Sequence, residues 1–180
     1  MKNDINNRPE FINSKVYFSS KGYELFLEEK ILIEKRLKKF QKMMGESCED
    51  GGETWHDNAD FEEAERQIPM WKKRLSDMNH VNSIREIINP AEIDDNPDSV
   101  RLFTKIFLYN INTGNELIYN ILGYGEGGTT NMDGSINITY YSPIGRKLIG
   151  KRIGKTIKHN FNSAMCNLEI EDIKKYIEPT

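Results

Sequence analysis

Nine carboxylates fall between Met43 and Glu65, at Glu46, Glu49, Asp50, Glu53, Asp57, Asp60, Glu62, Glu63 and Glu65, with no lysine or arginine among them. A one-sign run of this density attracts cations and sets up a local field that the net charge of −3 conceals. The ordinary meaning of such a run is a solvated loop and helix face. His56 beside Asp57 offers an acid–base or metal pair, but neighbours of these types are commonly incidental, and with Cys48 they lack the spacing of a zinc site. Trp55 is a large aromatic in a polar stretch, suited either to packing on a helix or to anchoring a partner. Two basic clusters stand apart from the acids: Lys30, Lys35, Arg36, Lys38, Lys39 and Lys42 upstream, and Arg146, Lys147, Lys151, Arg152, Lys155 and Lys158 near the end. The first is either a solvated face or a surface that meets phosphate, and the second reads as surface.

The acidic run needs an element to present it, and the flanking periodicity supplies one. Tyr23, Phe26, Ile33, Leu37, Phe40 and Met44 follow a 3,4 repeat, with Lys30 as the one charged seam position. That spacing keeps one apolar stripe facing a partner helix. Ser19 or Ser20 suits the N-cap. Gly45–Gly52 reads as a break. From Asp57 the repeat resumes at Phe61, Ala64, Ile68, Trp71, Leu75 and Met78, then slips by one residue to Val81, Ile84 and Ile88. Asp57 or Asn58 would cap this second helix. A short connection between two heptad segments predicts an antiparallel hairpin over residues 19–89, with an acidic tip near 46–60. Pro69 falls inside the second helix, off the seam, and predicts a kink or an early end.

Residues 1–18 carry no period and read as a loose extension. Residues 90–99, with their prolines and acids, read as a linker. Beyond them the period shortens to two. Strands are expected over Arg101–Asn110, Glu116–Leu122, Ser135–Tyr141, Lys155–Phe161 and about Cys166–Tyr176, with a turn at Asn112–Thr113–Gly114. Pro143–Ile149 suits a short helix with Pro in its first turn. The fold class is therefore α+β, a helical hairpin followed by a small sheet domain over residues 100–180. No apolar run approaches the ~20 residues of a membrane span, the first residues lack an apolar signal-like stretch, and Cys48 and Cys166 form no motif. These features predict a cytoplasmic, reduced protein with no membrane partner.

Three segments resemble the bacterial Gre transcript-cleavage factors, the GreA/GreB family. Ser20–Lys21–Gly22–Tyr23–Glu24 is similar to the family's helix start. Asp57–Asn58–Ala59–Asp60–Phe61 resembles its Glu-Asn-Ala-Glu-Tyr at the coiled-coil tip. Ser142–Pro143–Ile144–Gly145–Arg146–Lys147–Leu148–Ile149–Gly150–Lys151 resembles its Ser-Pro-apolar-(Gly/Ala)-Arg-Ala-Leu-apolar-Gly-Lys, and is the most specific of the three. Asn112–Thr113–Gly114 before Glu116 is similar to its Asp-Thr-Gly-Glu turn.

The resemblance implies an FKBP-like C-terminal domain that docks on RNA polymerase, with Ser142, Pro143, Ile144, Arg146 and Lys151 as docking residues. It implies a coiled coil reaching through the secondary channel to the nascent RNA 3′ end, close to the DNA and RNA of the complex. The factor would be an accessory monomer rather than an enzyme, with Asp57 and Glu53 assisting catalysis by holding Mg²⁺ shared with the polymerase and not retained when free. Trp55 and Asn58 would be tip contacts. Mg²⁺ favours carboxylate oxygens and commonly shares its ligands with phosphate, which accords with that role. The tip departs from the cleavage-active pattern Gly-Asp-Leu-Ser-Glu-Asn-Ala, since the aligned residues are Glu53–Thr54–Trp55–His56–Asp57–Asn58–Ala59. Thr54 stands where the family has an aspartate. Two outcomes stay open: a cleavage factor using Glu53 with Asp57, or a channel-binding regulator that does not cleave. A stand-alone prolyl isomerase built on the FKBP-like half is a third, for which no catalytic constellation is visible.

Overall fold

The computed structural model describes residues 15–50, 59–161 and 164–177. They divide into two compact units, one formed by Glu24–Arg85 and the other by the chain on either side of it.

The helical unit contains most of α1 (Ser20–Asp50) and α2 (Ala59–Ser83). Its buried residues are Phe26 and Ile33 on α1 and Phe61, Ala64, Ile68, Met78 and Val81 on α2, all on the predicted stripes. Leu37, Phe40, Met44, Trp71 and Leu75 complete the seam half-buried. Arg74 pairs with Glu29, and the Arg36 guanidinium lies 5.1 Å from the centre of the Trp71 ring. The contacts advance along α1 as they retreat along α2, so the helices lie side by side and antiparallel. Helix α1 has 31 residues and spans roughly 47 Å at ~1.5 Å per residue.

Within the Gly45–Gly52 segment read as a break, α1 continues past Gly45 and ends at Asp50. One exposed glycine costs only ~1 kcal/mol in a helix interior, and the Lys42–Glu46 ion pair spans it at 3.1 Å. Pro69 does not end α2, which runs through it. The second helix instead stops at Ser83, earlier than the repeat suggested. Ser83 Oγ and the Arg85 guanidinium donate to the carbonyls of His80 and Asn82 at 2.7 Å, closing the helix end. Residues Arg85–Ile87 then form a strand, β2.

The second unit begins with a correction to the loose extension expected over residues 1–18. Val16–Phe18 form β1, which pairs with β2 in a two-stranded sheet. Val16 and Phe18 are fully buried. Tyr124 N–H donates to the Tyr17 carbonyl at 2.7 Å, and Tyr17, Phe18, Tyr23, Tyr124, Tyr140 and Tyr141 form a chain of ring contacts with centroids 5.1–5.9 Å apart. Aromatic packing of this kind adds to burial.

The main sheet follows the predicted strands closely: β3 (Thr104–Asn110), β4 (Asn115–Leu122), β5 (Ile136–Thr139), β6 (Thr156–Phe161) and β7 (Ala164–Lys175), in the order β5-β4-β3-β7-β6. Neighbours are antiparallel except β4 with β5. The short helix α3 (Pro143–Leu148) lies between β5 and β6 in the chain. Ile106, Leu108, Ile121, Tyr140, Leu148, Leu168 and Ile170 form the buried core. On β7 the alternation of Cys166, Leu168 and Ile170 would turn Ile173 outward. A register shift opposite Phe107 and Leu108 absorbs one residue, and Ile173 returns to the core, as a bulge permits.

Candidate functional site

The connection between α1 and α2 is residues 51–58, so Glu53, Thr54, Trp55, His56, Asp57 and Asn58 lie outside the described residues. What is described is the pair of helix ends that this segment joins. On the α2 side Glu63 accepts from Arg66 and from Gln67 Nε2, which holds its carboxyl below the ordinary value. Gln67 in turn accepts from Trp71 Nε1 at 3.0 Å. These interactions tie the first turns of α2 along one face. Among the described residues no group of three or more His, Cys, Asp or Glu side chains could hold a metal. Glu53 and Asp57, the residues expected to hold Mg²⁺, lie outside the described residues, and their carboxylate oxygens are donors of the kind that ion takes.

The ten-residue motif at 142–151 divides into a buried half and an exposed half. Ser142 caps α3, its Oγ accepting from Gly145 N–H at 3.0 Å, with Pro143 at the first helical position. Ile144 and Leu148 pack into the core. A side chain at Gly145 would strike the carbonyls of Thr139 and Tyr140 and the Ser142 hydroxyl. Of the proposed docking residues, Ser142 and Ile144 thus build the fold, while Pro143, Arg146 and Lys151 face outward. Arg146, Lys147 and Lys151, with Ile149, Thr156, Ile157 and Lys158, line a depression of about 380 Å³. The Lys147 ammonium donates to the Lys158 carbonyl at 2.7 Å across it. Burial, and then the Lys147 charge, push the nearby His159 imidazole below its usual value.

One positioning group was not anticipated. Ser19 is the N-cap of α1, since its Oγ accepts from Gly22 N–H at 2.8 Å. Glu126, from the loop after β4, accepts from both the Ser19 N–H and the Ser19 hydroxyl. A Cβ on Gly22 or on Gly123 would collide with the Glu126 carboxylate. The Lys-Gly-Tyr helix start and the Gly-rich stretch Gly123–Gly128 are therefore two sides of one contact. That cluster of glycines around a single acid was the available signal.

A polar cluster fixes the same loop further on. Buried Asn120 donates to Ser135 Oγ at 3.0 Å and Asn137 Oδ1 at 2.8 Å, and Asn131 donates to the same two acceptors. Asp133 accepts from Lys105 and from the Ser135 hydroxyl and N–H, and these donors, Lys105 first, hold its carboxyl far below the ordinary range.

A family model described as "Transcription elongation factor, GreA/GreB, C-term" matches residues 94–175. Transcription elongation factor GreA of Neisseria meningitidis serogroup B is 35% identical over 118 residues, covering 66% of this chain and 72% of that protein. The chain belongs to the GreA/GreB family. The match to GreA of Chlorobium limicola carries 28% identity over 163 residues, 90% of this Gre-family chain and 98% of the relative, so it includes the helical hairpin. Among solved structures, GreA factor homolog 1 (Gfh1) of Thermus thermophilus aligns over 88% of this chain and 98% of its own at 18% identity and a TM-score of 0.38. A GreA/GreB protein of Nitrosomonas europaea aligns at 14% identity and a TM-score of 0.39, over 89% and 98%. The protein is a Gre-type transcription elongation factor by its sequence relatives. Among the described residues no helix is long and apolar enough to cross a membrane.

Proposed function

We propose that this Gre-family protein is a cytoplasmic accessory factor that docks on RNA polymerase as a monomer and promotes cleavage of backtracked RNA. The sheet domain would dock through the exposed part of the 142–151 motif. The hairpin would enter the secondary channel and bring residues 53–57 to the RNA 3′ end. One observation carries this reading. The helices are antiparallel, and the eight-residue connection between them, residues 51–58, contains both candidate carboxylates.

Asp57 and Glu53 would give carboxylate oxygens to a Mg²⁺ shared with the polymerase. Such a metal, when bound, neutralises charge on the attacking and leaving oxygens of a phosphodiester cleavage. The chain's own part is to carry those oxygens to the site and hold them there. Phosphoryl chemistry depends on placement of this kind, because much of the barrier reduction comes from pre-arranged geometry.

The test is RNA release from a purified backtracked elongation complex, comparing wild type with Asp57→Ala and Thr54→Asp. Wild type is expected to stimulate cleavage, Asp57→Ala to lose at least ~10-fold, about 1.4 kcal/mol of barrier, and Thr54→Asp to gain. Equal activity of wild type and Asp57→Ala would remove Asp57 from the mechanism. The Thr54 position favours a second reading, a regulator that occupies the channel without cleaving. Slower elongation, with no cleavage at any Mg²⁺ concentration, would establish that reading instead.

A further inference from the structure

We propose that the depression between α3 and β6 binds the phosphates of a nucleoside di- or triphosphate. Four cationic residues, Arg146, Lys147, Lys151 and Lys158, line it together with Thr156, and Ile149 and Ile157 supply apolar wall. Its volume of about 380 Å³ falls in the range of small-ligand sites, roughly 300–1,000 Å³. Four cations on one rim repel each other, and a fold normally relieves such repulsion with carboxylates. Here it does not. Among the described residues no carboxylate pairs with any of the four, whereas the adjacent Arg101 and Arg152 both pair with Asp98.

The depression is open to solvent, but the backbone of the loop along it is fixed. Gly150 and Gly154 both take φ +77°, a left-handed conformation that side chains disfavour, and they bracket the loop that carries Lys151. That loop is held on both sides, by Gly150 N–H donating to the Val100 carbonyl and Val100 N–H to the Lys151 carbonyl, each at 2.8 Å. Lys147 is fixed by its bond to the Lys158 carbonyl. Strand β6 is an edge of the sheet, and an edge offers unpaired backbone N–H donors to an anion.

The same surroundings favour a compact ligand over an extended nucleic acid. Glu169 sits opposite Thr156 in the β6–β7 register and shares its face of the sheet, so phosphate is left to the Arg146, Lys147 and Lys151 side of the depression, and a longer strand continuing across the sheet would meet a carboxylate. A nucleotide needs only the basic rim and the apolar wall, the one for phosphates and the other for base or sugar.

The inference does not depend on the polymerase reading, because its test uses the full chain alone. Calorimetric titration with ATP, GTP, tripolyphosphate and a single-stranded oligonucleotide would be run at low and physiological salt. Expected is saturable binding of a nucleotide with Kd below about 1 mM, weakening with salt. Arg146→Ala with Lys151→Ala should weaken it at least tenfold at an unchanged thermal midpoint, and Lys151→Arg should retain it. If the double variant does not fold, Lys158→Gln provides the same comparison. The proposal is overturned by no saturation in that range, by equal affinity in the variants, by tripolyphosphate binding as tightly as the nucleotide, or by tighter binding of the oligonucleotide.

Discussion

The Glu126 carboxylate meets the start of α1, where the first backbone N–H groups have no partner within the helix. It accepts from Ser19, which itself caps Gly22, so acid, cap and glycine form one relay. A negative charge beside a helix N-terminus is favourable, and hydrogen bonds to a charged group contribute about 1.5–3 kcal/mol. Glu126→Ala is therefore expected to lower unfolding free energy by about 2 kcal/mol in denaturant titration, with Glu126→Gln losing less because it keeps an acceptor. A change within ~0.5 kcal/mol for the alanine variant would mean that solvent replaces the contact at no cost. Ser19 was legible in the sequence as a cap. Glu126 was not, because the glycines around it signal a crowded acid but not which partner, 107 residues away, it meets. Ser142 and Ile144 were read as docking residues on resemblance, and within the fold Ser142 caps α3 and Ile144 packs into the core.

At the scale of elements, the period-3.5 stripe was legible because each of its positions is an ordinary apolar residue at a regular interval. The ends were harder. The Gly45–Gly52 segment suggested a stop without fixing its residue, and α1 passes Gly45 to end at Asp50, since a lone exposed glycine is a small penalty beside a long favourable stripe. Ile84 and Ile88 continued the helical spacing, yet β2 forms there because β1 offers a partner, and Ile88 N–H donates to the Phe18 carbonyl at 2.8 Å. Tertiary pairing decides such cases. Pro69 remains an expensive residue within α2, since it cannot donate to the carbonyl four residues back. Pro69→Ala should stabilise the chain by about 2 kcal/mol, the ~3 kcal/mol of the helix defect less the lost restriction of the unfolded chain. Chemical denaturation would show it as a higher midpoint at unchanged slope. An unchanged or lower midpoint would show that α2 is built around the proline.

For the whole molecule, the hairpin is an excursion from a discontinuous unit. The chain leaves that unit after β1, through α1, and returns to it at β2, and those two strands pair with each other. Residues 15–18, which read as loose polar chain, thus belong to the sheet-bearing unit. Their role escaped the sequence because Val16 and Phe18 are only two apolar residues, too few to show a period. The strands of the main sheet were legible from alternation alone, and the antiparallel pairing of α1 and α2 from the two heptad stretches. The most direct test of the proposed delivery of the tip is a photo-crosslinker placed at Trp55 in a complex with backtracked RNA polymerase. Crosslinks should map to the polymerase active centre or to the terminal RNA nucleotides. Crosslinks confined to the outer surface of the polymerase would contradict the account.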